Sequence, residues 1–168
     1  MSGTTPVWRR AEPWWVAVVV ALDQFTKWLV WQRIELYDSV EVIPGWLYLT
    51  HVRNTGAAFG MLNSADFAYK SLVVGGLAVL ALLALLWYAR HITTESWANR
   101  YGFVLIIAGA IGNLIDRATM GYVLDFIDVV FGTWHFWAFN VADAAITVGA
   151  ILFVADTLFS HRHVSEAV

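Results

Sequence analysis

The chain has 168 residues, 60% hydrophobic and 14% charged, with a mean hydropathy of +0.63 and a formal net charge of -3. Soluble domains run to about half apolar and about a quarter charged, so the composition points to a membrane protein; without a basic patch, nucleic acid is not an expected partner. With no cysteine, disulfides, thiol nucleophiles, thiolate zinc sites and iron–sulfur clusters are excluded.

Four spans are expected, in one integral membrane domain covering 1–168. The first follows Arg9-Arg10, with Pro13 suited to an early helix position and Trp14-Trp15 to an interface, and runs over about 14–31. Its apolar run continues through Phe25 to Trp31 with no A-x-A site after it, which favours an uncleaved anchor over a signal peptide. Asp23 and Lys27, four residues apart inside this span, form an ordinary helical ion pair, and Lys27 can snorkel outward. An outer segment, 32–70, comes next. Val40–Ile43 and Trp46–Val52 are rich in β-branched and aromatic residues and flank Pro44-Gly45, which predicts a small hairpin. The small-residue loop Asn54–Gly60 follows, its glycines 56 and 60 allowing close backbone approach and motion. A short interfacial helix at 63–70, capped by Asn63 or Ser64, completes the segment.

The second span, 71–89, carries no charge and is long enough to cross ~30 Å of hydrocarbon. The third, about 101–117, has Asn113, Asp116 and Arg117 crowding its far end on one face. Asp125 lies in the connection to the fourth span, about 138–159, which holds Asn140 and Asp143 in its first turns. Arg9, Arg10, Arg90, Arg100 and Arg162 fall on one side of such a four-span chain. The positive-inside rule then places both termini in the cytoplasm.

Depth brings the acids together. At ~1.5 Å per residue, Asp23 lies ~14 Å beyond Trp14, and Asp116 ~22 Å along an outward-going helix. Asp143 sits about one turn inside the same outer surface, and Asp125 lies in the loop there. Carboxylates in or beside a bilayer are costly and mark functional sites by default, and two that meet cannot both ionise easily. No serine joins the cluster. Of the five histidines only His51 and His135 fall on the outer side, and no H-E-x-x-H spacing occurs, so no metal or other cofactor is expected. A carboxylate pair remains as the acid–base machinery. The residues alone leave three readings open: a catalytic site, a proton-coupled transporter, or a scaffold whose polar groups satisfy one another.

Five stretches in order resemble the bacterial lipoprotein signal peptidase (signal peptidase II) family. They are Asp23-Gln-Phe-Thr-Lys27, Asn54-Thr-Gly-Ala-Ala-Phe-Gly60, Gly112-Asn-Leu-Ile-Asp-Arg117, Val123-Leu-Asp-Phe126 and Phe139-Asn-Val-Ala-Asp143. The resemblance implies an aspartic endopeptidase of the bacterial cytoplasmic membrane, acting as a monomer near the outer leaflet and inhibited by globomycin. Its substrates would be diacylglyceryl-modified prolipoproteins, cut before the lipid-modified cysteine. It implies Asp125 and Asp143 as the catalytic pair, with Asp23, Asn54, Gly56, Asn113, Asp116, Arg117 and Asn140 in support. Asn140 is expected to orient Asp143. A further acid, Asp128, follows Asp125 by three residues and is expected to be peripheral.

Overall fold

The structure, a computed structural model, describes residues 13–56, 69–91 and 96–160. The expected interfacial helix at 63–70 falls outside these residues except for Tyr69 and Lys70, and so do Arg9, Arg10, Gly60 and Arg162. The described residues form four helices and a small sheet: α1 (Pro13–Arg33), β1 (Ser39–Ile43), β2 (Leu47–Asn54), α2 (Lys70–His91), α3 (Trp97–Met120), β3 (Val123–Phe131), β4 (Trp134–His135) and α4 (Val141–Ser160).

The helices are apolar outside and polar inside, the reverse of a soluble bundle. Trp14, Val18, Leu22, Phe25, Trp28 and Trp31 make an exposed stripe along α1, while Asp23 and Lys27 are buried at 0% and 3% exposure. Three helical stretches are long and apolar enough to cross a membrane: Leu72–Ala89, Trp97–Met120 and Val141–Phe159. By the same measure α1 is not among them; Asp23, Gln24 and Lys27 dilute its apolar run.

α3 and α4 form the central pair. Gly102 approaches the backbone of Gly149 and Phe153, and Gly109 approaches Ala142 and Ile146, so the two helices run antiparallel. At Gly109 a Cβ would collide with the carbonyl oxygen of Ala142. At the opposite end from the sheet, Asp156 of α4 accepts from the side chains of Ser96 and Asn99, both at 2.5 Å. α3 is longer than the expected 101–117. Ser96 caps it at the start by accepting from Asn99 N, and it continues to Met120, where Gly121 at φ 79° closes it. Asn99, Arg100 and Arg117, polar residues at or beyond the expected ends, belong to helical turns.

The sheet caps the bundle at the C-terminal ends of α1 and α3. Val30 and Ile34 pack against Leu124 and Phe126 to form its core. β1 and β2 are the expected hairpin, turned by Gly45 at φ 72°. The unexpected part is β3. The connection carrying Asp125 is a nine-residue strand paired antiparallel with β2, Val52 opposite Asp125, giving the order β1-β2-β3-β4. Asp125 is therefore a sheet residue rather than a loop residue.

Candidate active site

α4 starts later than the expected 138, because 136–139 is occupied with β3. The amides of Phe126 and Ile127 donate to Phe139 O at 2.9 and 2.8 Å, and Phe139 N donates back to Ile127 O at 3.1 Å. This bridge delivers Asn140 beside Asp125. Asn140 then caps α4 reciprocally with Asp143. Asp143 N donates to Asn140 Oδ1 at 2.9 Å, and Asn140 N donates to Asp143 Oδ2 at 3.3 Å. Those are the two halves of a capping box, with aspartate where glutamate usually stands. Asn140 thus precedes the helix instead of lying within its first turn. The N-terminal position of Asp143 also places a carboxylate where the helix dipole favours it.

Each carboxyl group receives two N–H donors. Asp125 accepts from Asn54 Nδ2 at 2.9 Å and Asn140 Nδ2 at 2.7 Å. Asp143 accepts from Asn113 Nδ2 at 2.7 Å and from the Asn140 amide. Asn140 therefore meets both acids: its amide N–H donates to the Asp143 carboxyl, and its side-chain NH2 donates to Asp125, a contact the sequence did not suggest. Arg117 does not pair with Asp116; its Nη2 donates to Gly56 O at 3.0 Å, holding the start of the small-residue loop. Gly56 N in turn donates to Asn54 Oδ1 at 2.9 Å.

Behind this layer lies a buried ion cluster. Lys27 Nζ contacts Asp23 Oδ2 and Asp116 Oδ2, each at 2.9 Å, and donates to Asn113 Oδ1 at 3.1 Å. Lys27 does not snorkel; it points inward. Asp23 Oδ1 accepts from Ala142 N at 2.9 Å, tying α1 to the first turn of α4. Asp116 Oδ2 accepts from Leu124 N at 3.1 Å, tying α3 to β3 one residue before Asp125. Gln24 Nε2 donates to Asp116 Oδ1 at 2.8 Å. Asp23 and Asp116 thus hold the two elements that carry Asp143 and Asp125.

Asp125 and Asp143 both face a cleft of about 630 Å³ that is otherwise mostly apolar, running between α2, α3 and α4. Phe136, Trp137 and Phe139 close it from the sheet side, and Ala78, Ala81, Leu82 and Leu85 line it from α2. Burial, then the charge of Asp143, pushes the Asp125 carboxyl up to about 7, against the opposing hydrogen bonds of Asn54 and Asn140. Asp128 stands apart, its carboxyl taken by His135 Nδ1 at 2.8 Å. Among the described residues no group of three or more His, Cys, Asp or Glu side chains is arranged to hold a metal.

Every expected site residue is brought into this one network, except Asp128, which is peripheral as expected. Gln24 and Lys27 had no assigned place in the site. The spacing of 23, 24 and 27 on one helical face was the available signal. The α2 wall was invisible because an all-apolar helix gives no contrast between its faces.

A polytopic membrane protein with one buried and one half-buried carboxylate lining an apolar cleft has the design of a membrane-embedded acid–base enzyme. The family model described as Signal peptidase (SPase) II matches residues 15–159. The lipoprotein signal peptidase of Solibacter usitatus (strain Ellin6076) is 40% identical over 153 residues, spanning 89% of this chain and 92% of the relative. That of Nitratidesulfovibrio vulgaris (strain DP4) is 46% identical over 140 residues, 83% and 84% of the two chains. A bacterial membrane enzyme solved by the in meso method superposes with a TM-score of 0.77 at 34% identity, covering 88% of this chain and 87% of that one. The chain belongs to the signal peptidase II family and is a peptidase.

Proposed function

We propose that this protein is an intramembrane aspartic endopeptidase that removes signal peptides from diacylglyceryl-modified prolipoproteins, cutting before the lipid-bearing cysteine. The observation that carries the reading is the pair Asp125 and Asp143, each held by two N–H donors and both facing the apolar cleft. With Asp125 raised to about 7, one proton shared by the pair at neutral pH is the state acid–base hydrolysis needs. The ionised carboxylate takes a proton from water as the water adds to the scissile carbonyl. The protonated one supports the developing oxyanion, and return of a proton to the amide nitrogen releases the two peptides. No covalent enzyme intermediate forms. The two acids titrate as a unit, so the proton is assigned to the dyad.

The cleft suits an apolar helical signal peptide with acyl chains beside it. Asn54, Gly56, Asn113, Arg117 and Asn140 position the dyad and the start of the small-residue loop; Asp23 and Asp116 hold the elements beneath. We place α1 in the membrane as a fourth span. Its outward stripe of tryptophan, phenylalanine and aliphatic residues needs an apolar surrounding, and its charges face inward. The charge pattern of the loops then supports a bacterial cytoplasmic membrane protein with both termini inside and the sheet and dyad at the outer leaflet. The protein acts as a monomer in this reading, since one chain supplies both carboxylates.

Cleavage of a diacylglyceryl-modified prolipoprotein by the purified protein in detergent, read as a gel shift, tests the proposal. Wild type should cut, and folded Asp125→Asn and Asp143→Asn variants should not. An inactive wild type on a substrate that another signal peptidase II cuts would refute the function. Activity in either folded variant would refute the assignment of that residue.

A further inference from the structure

The amide groups of Asn54, Asn113 and Asn140 turn their NH2 toward the two carboxylates because each amide oxygen is held from behind by a group that only donates. For Asn54 that group is Gly56 N at 2.9 Å, and for Asn140 it is Asp143 N at 2.9 Å. For Asn113 it is Lys27 Nζ at 3.1 Å. Two of these holding groups are peptide N–H; the third is a side chain, and so the one that substitution can remove.

An ammonium carries three donors and no acceptor, so the Asn113 oxygen must face Lys27 and its NH2 must face Asp143, whichever way the amide is first drawn. The three donors of Lys27 match the three acceptors around it: Asp23, Asp116 and Asn113. We infer that Lys27 is a positioning residue for the proposed hydrolysis: by fixing the amide of Asn113 it sets the direction of hydrogen bonding into Asp143. The inference rests on the peptidase reading above. Without Lys27 the Asn113 oxygen keeps only Asn140 Nδ2, at 3.2 Å, so a single longer bond opposes inversion of the amide. An inverted amide presents its oxygen to Asp143, which satisfies only a protonated carboxyl.

Other charged groups also face the dyad, and they remain when Lys27 is replaced. Asp23 comes from α1, and Asp116 and Arg117 from α3. Removing the one cation buried behind the dyad therefore moves the acid limb of the kcat/KM profile to higher pH.

The test measures kcat, KM and their pH dependence for the full chain in detergent on a diacylglyceryl-modified prolipoprotein. It compares wild type, Lys27→Met, Asp116→Asn and, as a control, Asp125→Asn, with thermal unfolding of each. For folded Lys27→Met, kcat is expected to fall on the order of 100-fold. KM should stay within about twofold, because the substrate cleft is untouched. The acid limb should move up. Asp116→Asn, which keeps the Lys27–Asn113 bond, should lose much less kcat. Equal losses in the two variants, tracking their unfolding temperatures, would overturn the inference in favour of a merely structural cluster. So would a folded Lys27→Met with wild-type kcat or an unmoved acid limb. Lys27→Met leaves two buried carboxylates without their cation; should it not fold, Lys27→Met/Asp116→Asn keeps the cluster's net charge at its original value and carries the same comparison. An inactive wild type would sink the peptidase reading itself. An active wild type, an inactive Asp125→Asn and an unaffected Lys27→Met would sink this inference alone.

Discussion

Replacing Asp125 by asparagine should abolish cleavage and stabilise the fold at neutral and alkaline pH. Asp125 is 2% exposed, and burial together with Asp143 raises its carboxyl from the usual 3.8 to about 7. Between those values the folded state holds a proton that the unfolded chain has lost, so wild-type stability falls as pH rises. At about 1.4 kcal/mol per pH unit, the loss begins near pH 4, grows to about 4 kcal/mol by pH 7 and then levels off. Asparagine is the neutral, equal-sized stand-in for the protonated acid. Its oxygen accepts from one of the two donors, Asn54 or Asn140, while its NH2 cannot accept from the other, so one N–H loses its partner at a cost of about 1–3 kcal/mol at every pH. The variant should therefore lie below wild type near pH 4, gain on it by ~10 °C in Tm between pH 4 and pH 8 for a chain of this size, and exceed it at pH 8. Thermal unfolding in one detergent across pH 4–9 measures this. A Tm difference that stays constant with pH, or that favours wild type at pH 8, would refute the claim that ionising Asp125 strains the fold.

Asn54→Ala removes one of the two donors that oppose the rise at Asp125, so the alkaline limb of kcat/KM, where the pair loses its shared proton, should move to higher pH, read from initial rates across pH 5–9. Gly109→Ala forces a Cβ against the Ala142 carbonyl at the α3–α4 crossing. It should destabilise by about 1–3 kcal/mol, the usual cost of overpacking, and lower Tm in the same detergent. Asp156→Ala removes the acceptor shared by Ser96 and Asn99 and should cost about 1–3 kcal/mol through the two lost hydrogen bonds to a charged group. Asp156 lies thirteen residues from Asp143, ~20 Å along the helix, so kcat at a temperature where the variant is folded should stay at the wild-type value.

What the sequence made legible were features with local signatures: long apolar runs, the Pro44-Gly45 turn, and carboxylates in apolar surroundings. The strand character of 123–131 was hidden because its partner, β2, is about 75 residues earlier, and nothing between Gly121 and Phe131 alternates cleanly. Its first four residues are buried on both faces, so the period-two pattern that marks a half-exposed strand is absent. The same non-local pairing hid the second contact of Asn140. Read along the chain it sits three residues before Asp143, as an orienting neighbour should. The Ile127–Phe139 bridge brings its side-chain NH2 to Asp125 as well. Asp23 and Lys27 were readable as a pair, but the third member, Asp116, comes from another helix, and a triad across helices leaves no spacing in one sequence window.

The arrangement solves a particular electrostatic problem. A buried acid pair must stay ionisable, yet a cation in direct contact would lock both carboxyls in the charged form and remove the proton that acid–base hydrolysis requires. Here amide donors meet both carboxylates, with the peptide N–H of Asn140 completing the set at Asp143, and the nearest buried cation, Lys27, is one residue removed, acting through Asn113. Amides supply partial charge, enough to hold geometry and to offset part of the burial cost, as the residual rise of Asp125 to about 7 reflects. Lys27 itself is more than neutralised by Asp23 and Asp116, so it acts on the dyad through the direction of one amide as well as through its charge. Replacing an amide by an acid at that point is the severe test of this division. Asn113→Asp keeps the contact with Lys27 but turns a carboxylate toward Asp143 where an N–H stood. If the amide layer is what keeps the pair shared and neutral enough to react, this near-isosteric change should lower kcat at pH 7 by at least as much as Lys27→Met, with partial recovery as pH falls and the new carboxyl protonates. A folded Asn113→Asp variant with wild-type kcat at pH 7 would mean that the donors around Asp143 are packing partners only.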